Sequence, residues 1–524
     1  MLRSFRHMLR LVAIARTLAR HDALAPLADL LQSGGTAPIV VLRASRIFFG
    51  AHDRPGRPGE KLAAALTDLG PAFIKLGQML STRTDVLGEQ VAADLSQLRD
   101  RLPPFPAEEA RATIERELGQ PIGRLFAAFD DNPVSAASIA QVHYAILPEG
   151  DPSPRREVAV KVLRPGIEAA FRRDIDMLAW LAALIERTQP ALRRFRPVAV
   201  IATFAEITDR EMDLRLEAAA AAELAENFTD DDSYVVPTID WPRTARRVLT
   251  QQRLEGIAMD DRDRLLAVGH DLRDILEKAA AIFFKQAFRD GYFHGDQHPG
   301  NMFVDVEGRI GAVDFGIMGR LDRETRYYLA DMLLGLLSRD YRRLADVHFE
   351  AGYVPETKSH EDFAQALRAI GEPIFGRPLA DISFAHVLAQ LFQTARAFDM
   401  EVQPQLLLLQ KNMLMAEGVS RQLDPELNIW SLAEPLIADW MRENRGPEAR
   451  AREALEEAIA TARRLPVIAR RLEATLTDFA EGGLRIHPET LRAMGGDRGP
   501  FGGRSAPWWL VAALLAALMV SVLA

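Results

Sequence analysis

"GYFHGDQHPGNMFVDVEGRIGAVDFG", residues 291–316, places two histidines and an aspartate among glycine and proline, then runs into a short apolar alternation. His294 and His298 are four apart, the spacing that aims two imidazoles at one metal if the segment is helical. Pro299 followed by Gly300 argues against a helix there, so hydrogen bonding within a structured loop is the better reading of both rings. From Asn301 the apolar positions alternate around Glu307-Gly308, which predicts a β-hairpin over 301–316. Its far arm ends in Asp314-Phe315-Gly316. A polar loop holding Asp296 and Asn301 is thereby followed by a hairpin that brings back a second acid.

Upstream, "NPVSAASIAQVHYAIL" (132–147) and "EVAVKVLRPG" (157–166) read as two strands joined by a Pro/Gly/Ser-rich turn. Residues 168–228 return to helical spacing. "SYVVPTID" and "RRVLTQQRL" then read as further strands that complete a small sheet. Beyond residue 271 the pattern is helical to about residue 480, apart from the 301–316 hairpin, and no internal repeat is present. The sequence divides into a basic amphipathic N-terminal region (1–50), a helical extension (51–120), a β-rich lobe (121–260), a helical lobe (261–485), a flexible Gly-rich linker (486–505) and an apolar tail (506–524). The expected fold is α+β with two lobes, a small β-rich one and a larger helical one.

The chain has 524 residues, 48% hydrophobic and 26% charged, which is the composition of a folded protein with a large core. A formal net charge of −9 argues against nucleic acid as a partner. There is no cysteine, which removes disulfides, thiolate nucleophiles and Cys-ligated zinc. "APWWLVAALLAALMVSVLA" (506–524) carries no charge, and at about 1.5 Å per residue reaches roughly 28 Å, so it is expected to be a transmembrane helix. Trp508 and Trp509 stand where an interfacial anchor would, and Arg498 and Arg504 precede them on the side kept cytoplasmic. The expected localisation is therefore the inner membrane, single-pass, with the remainder cytoplasmic. At the other end, Arg3, Arg6, Arg10, Arg16 and Arg20 alternate with apolar residues at helical spacing. This suits either a helix lying on anionic lipid or a solvated face.

Phosphoryl transfer needs a cover for the phosphates, a lysine to hold them, a carboxylate to position that lysine, a polar catalytic loop and a metal-binding acid. Candidates for these parts stand here in order. Lys161 in "VAVKV" matches the strand lysine of the V-A-I-K pattern. Asp296 and Asn301 keep the interval of the H-R-D-x-x-x-x-N loop, and Asp314 is the acid of a D-F-G. Asp296 would orient the attacking group; Asn301 and Asp314 would offer oxygen ligands to Mg²⁺, as a hard cation prefers. The phosphate cover departs from the glycine-rich form. "VSAASIAQV", from Val134 through Ser135, Ala136, Ala137, Ser138, Ile139, Ala140 and Gln141 to Val142, contains no glycine, so a changed mode of ATP binding is expected.

Taken together, "KLGQ" (75–78), "SAASIAQVH", "VAVKVLRPGI", "EMDLRLEA", "FHGDQHPGN" and "VDFG" resemble the UbiB family of atypical kinase-like proteins of ubiquinone biosynthesis, as does "AEGVSRQLDPELN" (416–428). The resemblance implies a kinase-like two-lobe fold with Lys161 on the ATP phosphates and an ion-pair partner for it in the acidic helix, assigned to Glu217, with Glu211 as the alternative. It also implies a regulatory set in which Glu211 and Asp213 meet Lys75, Gly77 and Gln78 across the place where a protein kinase admits a peptide. Independently, Lys75 sits inside the apolar "PAFIKLGQML", where a buried ammonium needs a carboxylate and a lysine at the helix edge does not. After the D-F-G the sequence re-enters helix almost at once, without an A-P-E motif.

The functional expectation is a membrane-anchored atypical kinase or ATPase that uses ATP and Mg²⁺ in support of ubiquinone biosynthesis, with lipid-like quinone precursors and other enzymes of that route as partners. The alternatives are an active protein kinase and a nucleotide-binding scaffold. A hydroxylase is disfavoured, since no flavin or nicotinamide fingerprint and no iron triad is evident.

Overall fold

The structure, a computed structural model, describes residues 2–23, 56–81, 87–95, 98, 102–151, 156–373, 384–400, 404–426 and 429–445. The chain divides into two compact units, Met1–Met441 and Arg442–Ala524. Everything that positions the site lies in the first.

The small lobe is built on a five-stranded antiparallel sheet. Strands β1 (Ala128–Phe129), β3 (Ala140–Ile146), β4 (Glu157–Leu163) and β6 (Val248–Gln252) pair in that spatial order, and β2 (Ser135–Ala136) pairs with β3. The β3–β4 register sets Val142 opposite Lys161. Side chains alternate along β4. Val158, Val160 and Val162 point into a core with Ile114, Phe126, Leu147 and Val248, which turns Lys161 to the other face. Between β4 and β6 run three helices, Ile167–Thr188, Pro197–Glu211 and Leu214–Asn227.

The larger lobe carries a four-stranded sheet ordered β5 (Tyr234–Val235), β10 (Ile310–Ala312), β9 (Met302–Val304) and β7 (Ile257–Ala258), and a two-stranded ribbon of β8 (Tyr292–His294) and β11 (Met318–Arg320). The expected 301–316 hairpin is β9–β10, closed at Asp305–Arg309 with Gly308 at φ +75°. One strand departs from the sequence reading. "SYVV" does not join the small-lobe sheet; β5 pairs parallel with β10, because Tyr234 is buried in the core shared with Phe228 and Ile310. Around these sheets pack the helices Leu272–Phe284, Arg323–Leu337, Tyr341–Glu350, His360–Gly371, Phe384–Ala397, Pro404–Leu423 and Ile429–Arg445.

The basic N-terminal helix, Leu2–Arg20, is docked on the protein. Leu18 and Ala19 enter the main core, Arg10 holds Asp174 through two hydrogen bonds of 2.9 and 3.0 Å, and His7 stacks on Trp180. The expectation of a C-terminal transmembrane helix, and with it of a single-pass inner-membrane localisation, is corrected here. Among the described residues no helix is long and apolar enough to cross a membrane, and 506–524 lie outside the described residues. The fold is therefore an α+β, two-lobe kinase-like fold without an assigned spanning element.

Candidate active site

Lys161 is the centre of an ion triad. Its Nζ donates to both Glu217 oxygens at 2.8 and 3.0 Å and to Asp314 Oδ1 at 2.9 Å. Each partner is delivered by a local device. Asp213 caps the Leu214–Asn227 helix by accepting from Arg215 N, and Glu217 follows on the buried stripe of Leu214, Ala218, Ala221 and Leu224. Asp314 takes a left-handed backbone, φ +65°, a conformation that costs a non-glycine residue about 1–2 kcal/mol. That turn buries Phe315 against the His294 ring while its carboxylate reaches Lys161.

The charges in this triad are strongly coupled. Burial works against the Lys161 ammonium, but the carboxylates of Asp314 and Glu217 outweigh it and raise its pKa. Lys161 in turn holds the Asp314 carboxyl well below the usual carboxylate range, with a further contribution from the charge of Lys75. Burial, reinforced by the Asp314 charge, pushes Glu217 up to about 7 against the pull of Lys161. The asymmetry follows from exposure. The Glu217 side chain is 8% exposed and that of Asp314 52%, so the acid denied water is the one whose pKa is raised.

The Asp296 loop is held on several sides. A π-type turn, Lys285–Asp290, ends at Gly291 with φ +64°, where a Cβ would strike the Leu321 carbonyl. Both nitrogens of buried His294 are used. Nδ1 accepts from Asp296 N at 3.1 Å, so the proton resides on Nε2 and is donated to Val313 O at 3.2 Å. Burial lowers the His294 pKa and keeps this neutral form. His298 Nδ1 accepts from Gly300 N at 3.0 Å. Asn301 Nδ2 donates to Asp296 O at 3.1 Å. The two histidines thus shape the loop, and among the described residues no group of three or more His, Asp and Glu side chains is placed to hold a metal ion.

Two residues beyond the sequence reading reach this loop from the Pro404–Leu423 helix. Lys411 Nζ donates to Asp296 Oδ1 at 2.7 Å. Its neighbour Asn412, wholly buried, accepts from Gln297 N at 3.2 Å and donates to His294 O. The signal was present: a lysine and an asparagine side by side in the apolar run "LLLLQKNMLM" (406–415) need partners.

The remaining candidates are placed as follows. Lys75 Nζ is 3.3 Å from Glu211, with both side chains about four-fifths or more buried. Gly77 packs so closely under Leu66 and Leu98 that a Cβ would lie 2.7 and 2.6 Å from them; Gln78 donates to Leu98 O at 3.3 Å, and Asp213 is engaged with Arg215 at 2.6 Å. The alanine-rich segment is a tight hairpin. Val134 N bonds Val142 O, Ser135 pairs with Val142 and Ala136 with Gln141, and Ala137 N bonds Ala140 O at 2.8 Å. Ile139 and Ala140 are core residues. Gln141 is structural, since it brackets the Phe105 backbone at 3.0 and 3.2 Å. Among the described residues the buried Ser138 hydroxyl, at the hairpin tip, has no hydrogen-bond partner.

The donor set fits magnesium. Asn301 spends its amide N–H on the Asp296 carbonyl, which leaves its side-chain oxygen, and Asp314 gives one oxygen to Lys161, which leaves the other. Two such oxygens plus phosphate and water are the ligands a small hard cation prefers.

A strand lysine paired to a helix glutamate, a looped aspartate and asparagine, and a D-F-G acid on a hairpin arm define an atypical kinase-like protein. The family model of the ABC1 atypical kinase-like domain matches residues 97–348, and that of the UbiB helical domain matches residues 367–428. The chain is 48% identical over 393 residues to the "Probable protein kinase UbiB" of Marinobacter nauticus, covering 74% of this chain and 71% of that one. It is 43% identical over 447 residues to the protein of the same name from Xanthomonas campestris pv. campestris, covering 83% and 80%. The chain belongs to the UbiB family. Among solved structures, that of Rv3197 with erythromycin from Mycobacterium tuberculosis matches at 26% identity and a TM-score of 0.49, over 77% of this chain and 97% of that one.

Proposed function

We propose that this protein binds Mg-ATP between its lobes and hydrolyses it, or transfers its terminal phosphate, in support of ubiquinone biosynthesis. The observation that carries the reading is the triad of Lys161, Glu217 and Asp314 set beside a braced Asp296 loop. Lys161 would hold the α- and β-phosphates with Glu217 as its counter-ion, and the hairpin at Ser135–Ser138 would cover them. Asn301 and Asp314 would hold Mg²⁺, which when bound neutralises phosphate charge. Asp296 would orient the attacking hydroxyl or water.

Lys75, paired to Glu211 and close enough to act on Asp314, would restrict what reaches the acceptor side. A peptide is the weaker acceptor. After Gly316 the chain forms β11 and by Arg323 is already helical, capped by Asp322, so no long segment is left to dock one. Small lipid-like quinone precursors, or water alone, fit this better, with other enzymes of the same route as binding partners. The tight alanine-rich hairpin keeps a second reading open, a nucleotide-sensing scaffold.

Purified protein should hydrolyse ATP in the presence of magnesium. Asp296→Asn should lower turnover by at least about a hundredfold, within the range of a lost general base, while nucleotide affinity stays within a few-fold. Undiminished turnover in that variant sinks the catalytic assignment. Restoration of ubiquinone synthesis by Asp296→Asn in cells lacking the protein would favour the scaffold.

A further inference from the structure

Charge on a transferring phosphoryl group has to be met by cations set in place beforehand. The loop from Asp296 to Asn301 supplies none, since it contains neither lysine nor arginine. Lys161 is already divided between Glu217 and Asp314. The cation that reaches Asp296 comes from outside the 97–348 span matched by the kinase-like domain: Lys411, in the middle of the Pro404–Leu423 helix.

Two features separate this contact from a chance surface pair. The root of the side chain is fixed, because the adjacent Asn412 is wholly buried and spends both ends of its amide on the backbone of His294 and Gln297. The head is not confined. Lys411 is 41% exposed at its side chain, and an ammonium on a four-carbon stem can swing by a few ångströms without moving the helix. Lys411 takes only Oδ1 of Asp296; among the described residues no hydrogen bond reaches Oδ2.

We propose, on the premise that the site takes Mg-ATP, that Lys411 is the second cation of the phosphoryl-transfer site, holding Asp296 through Oδ1 and contacting the terminal phosphate of the bound nucleotide. In the transfer, the bond between the γ-phosphorus and the β–γ bridging oxygen breaks, and ADP keeps its electron pair. The acceptor oxygen bonds to phosphorus, and its proton passes to Asp296 Oδ2 and on to solvent. Lys411 undergoes no covalent change; it offsets charge on the phosphoryl oxygens and keeps Oδ2 turned to the acceptor. The helical domain is on this account a part of the site and not only a support for it.

The test compares the affinity of the full chain for ADP and for the non-hydrolysable β,γ-imido analogue of ATP, both with magnesium, in wild type, Lys411→Met and Lys411→Arg. Loss of a charged hydrogen bond to the terminal phosphate should weaken the analogue by about tenfold or more in Lys411→Met while ADP changes less than about twofold, and arginine should recover most of the loss. Equal effects on the two nucleotides, or none on either, overturn the role of Lys411 while leaving the nucleotide site standing. Binding of neither nucleotide by the wild type overturns the premise and the role together. Circular dichroism melts of the three proteins show whether the fold is kept; an Lys411→Met protein that melts like wild type and binds both ligands like wild type counts against the proposal.

Discussion

Asn412→Ala isolates how much the Asp296 loop owes to a helix more than a hundred positions away in sequence. The side chain is fully buried, and its removal leaves the buried His294 carbonyl and the Gln297 N–H without partners. Each orphaned buried group costs about 1–3 kcal/mol, and the small void adds to it, so a loss of about 2–4 kcal/mol is expected. The loss should be local. His294 N remains bound to Gln286 Oε1 at 3.0 Å, and β8 remains paired to β11. Hydrogen exchange followed by mass spectrometry should show peptides spanning 294–298 exchanging faster by about thirtyfold to several hundredfold, from the same free energy. The β3–β4 sheet should be unchanged. Asn412→Asp keeps the acceptor for Gln297 but turns a carboxylate toward the His294 carbonyl, and should do no better than alanine. Wild-type protection at 294–298 in Asn412→Ala, in a protein that is otherwise folded, refutes the claim that this residue braces the loop.

Gly319→Ala in β11 would drive a methyl group into the ring of Phe293, which is wholly buried; overpacking of this kind costs about 1–3 kcal/mol, and an unchanged thermal midpoint would show the ribbon to be looser than described. Glu217 gives a pH signature. Its folded-state pKa is raised to about 7, above the unfolded value, so its stabilising contribution is complete below the unfolded pKa and is lost as pH rises through the folded one. Glu217→Gln removes that dependence: the unfolding free energy of wild type relative to the glutamine variant should fall by on the order of 2 kcal/mol between pH 5 and 8, and a flat difference would mean that Glu217 stays ionised throughout.

Much of the site could be read from sequence because its parts are local and punctuated. Alternation in "VAVKV" sets Lys161 opposite three core valines, Pro299-Gly300 excludes a helix at the histidines, and Glu307-Gly308 closes the hairpin that carries Asp314. Glu217 was assigned through the family resemblance, with Glu211 as the alternative, and the buried stripe of Leu214, Ala218, Ala221 and Leu224 that carries it to Lys161 is a feature of the folded helix. What was not legible depended on long-range packing. Strand β5 pairs with a partner some 75 positions downstream in the other sheet, and a two-residue strand leaves too little pattern to choose a sheet. Gln141 looked like a phosphate-loop residue by position, yet the Phe105 backbone beside it makes it a structural bridge. The N-terminal helix reads as a lipid-facing or solvated helix because its arginines are conspicuous, but Arg10 is used inward, on Asp174.

The two lysines at the site divide its acids between them, and that division bears on what a bound nucleotide must do. Lys161 draws on both Glu217 and Asp314, while Lys411 draws on Asp296. Asp314 cannot give its charge fully to the lysine and to a metal at once. It is also the more exposed of the two acids on Lys161, and its left-handed backbone is the strained one, so it is the member able to move away. Glu217, buried on a capped helix, is the member that stays. On the proposed reading, loading the site is an exchange in which phosphate takes the place of Asp314 on Lys161 and the freed Asp314 turns to the metal, while Lys411 keeps Asp296 Oδ1 and adds the terminal phosphate. The Lys161–Asp314 pair, which joins a small-lobe strand to the large-lobe hairpin, is then the one a nucleotide has to displace, so on this reading affinity depends on how weakly Asp314 is held as much as on how well the phosphates are grasped.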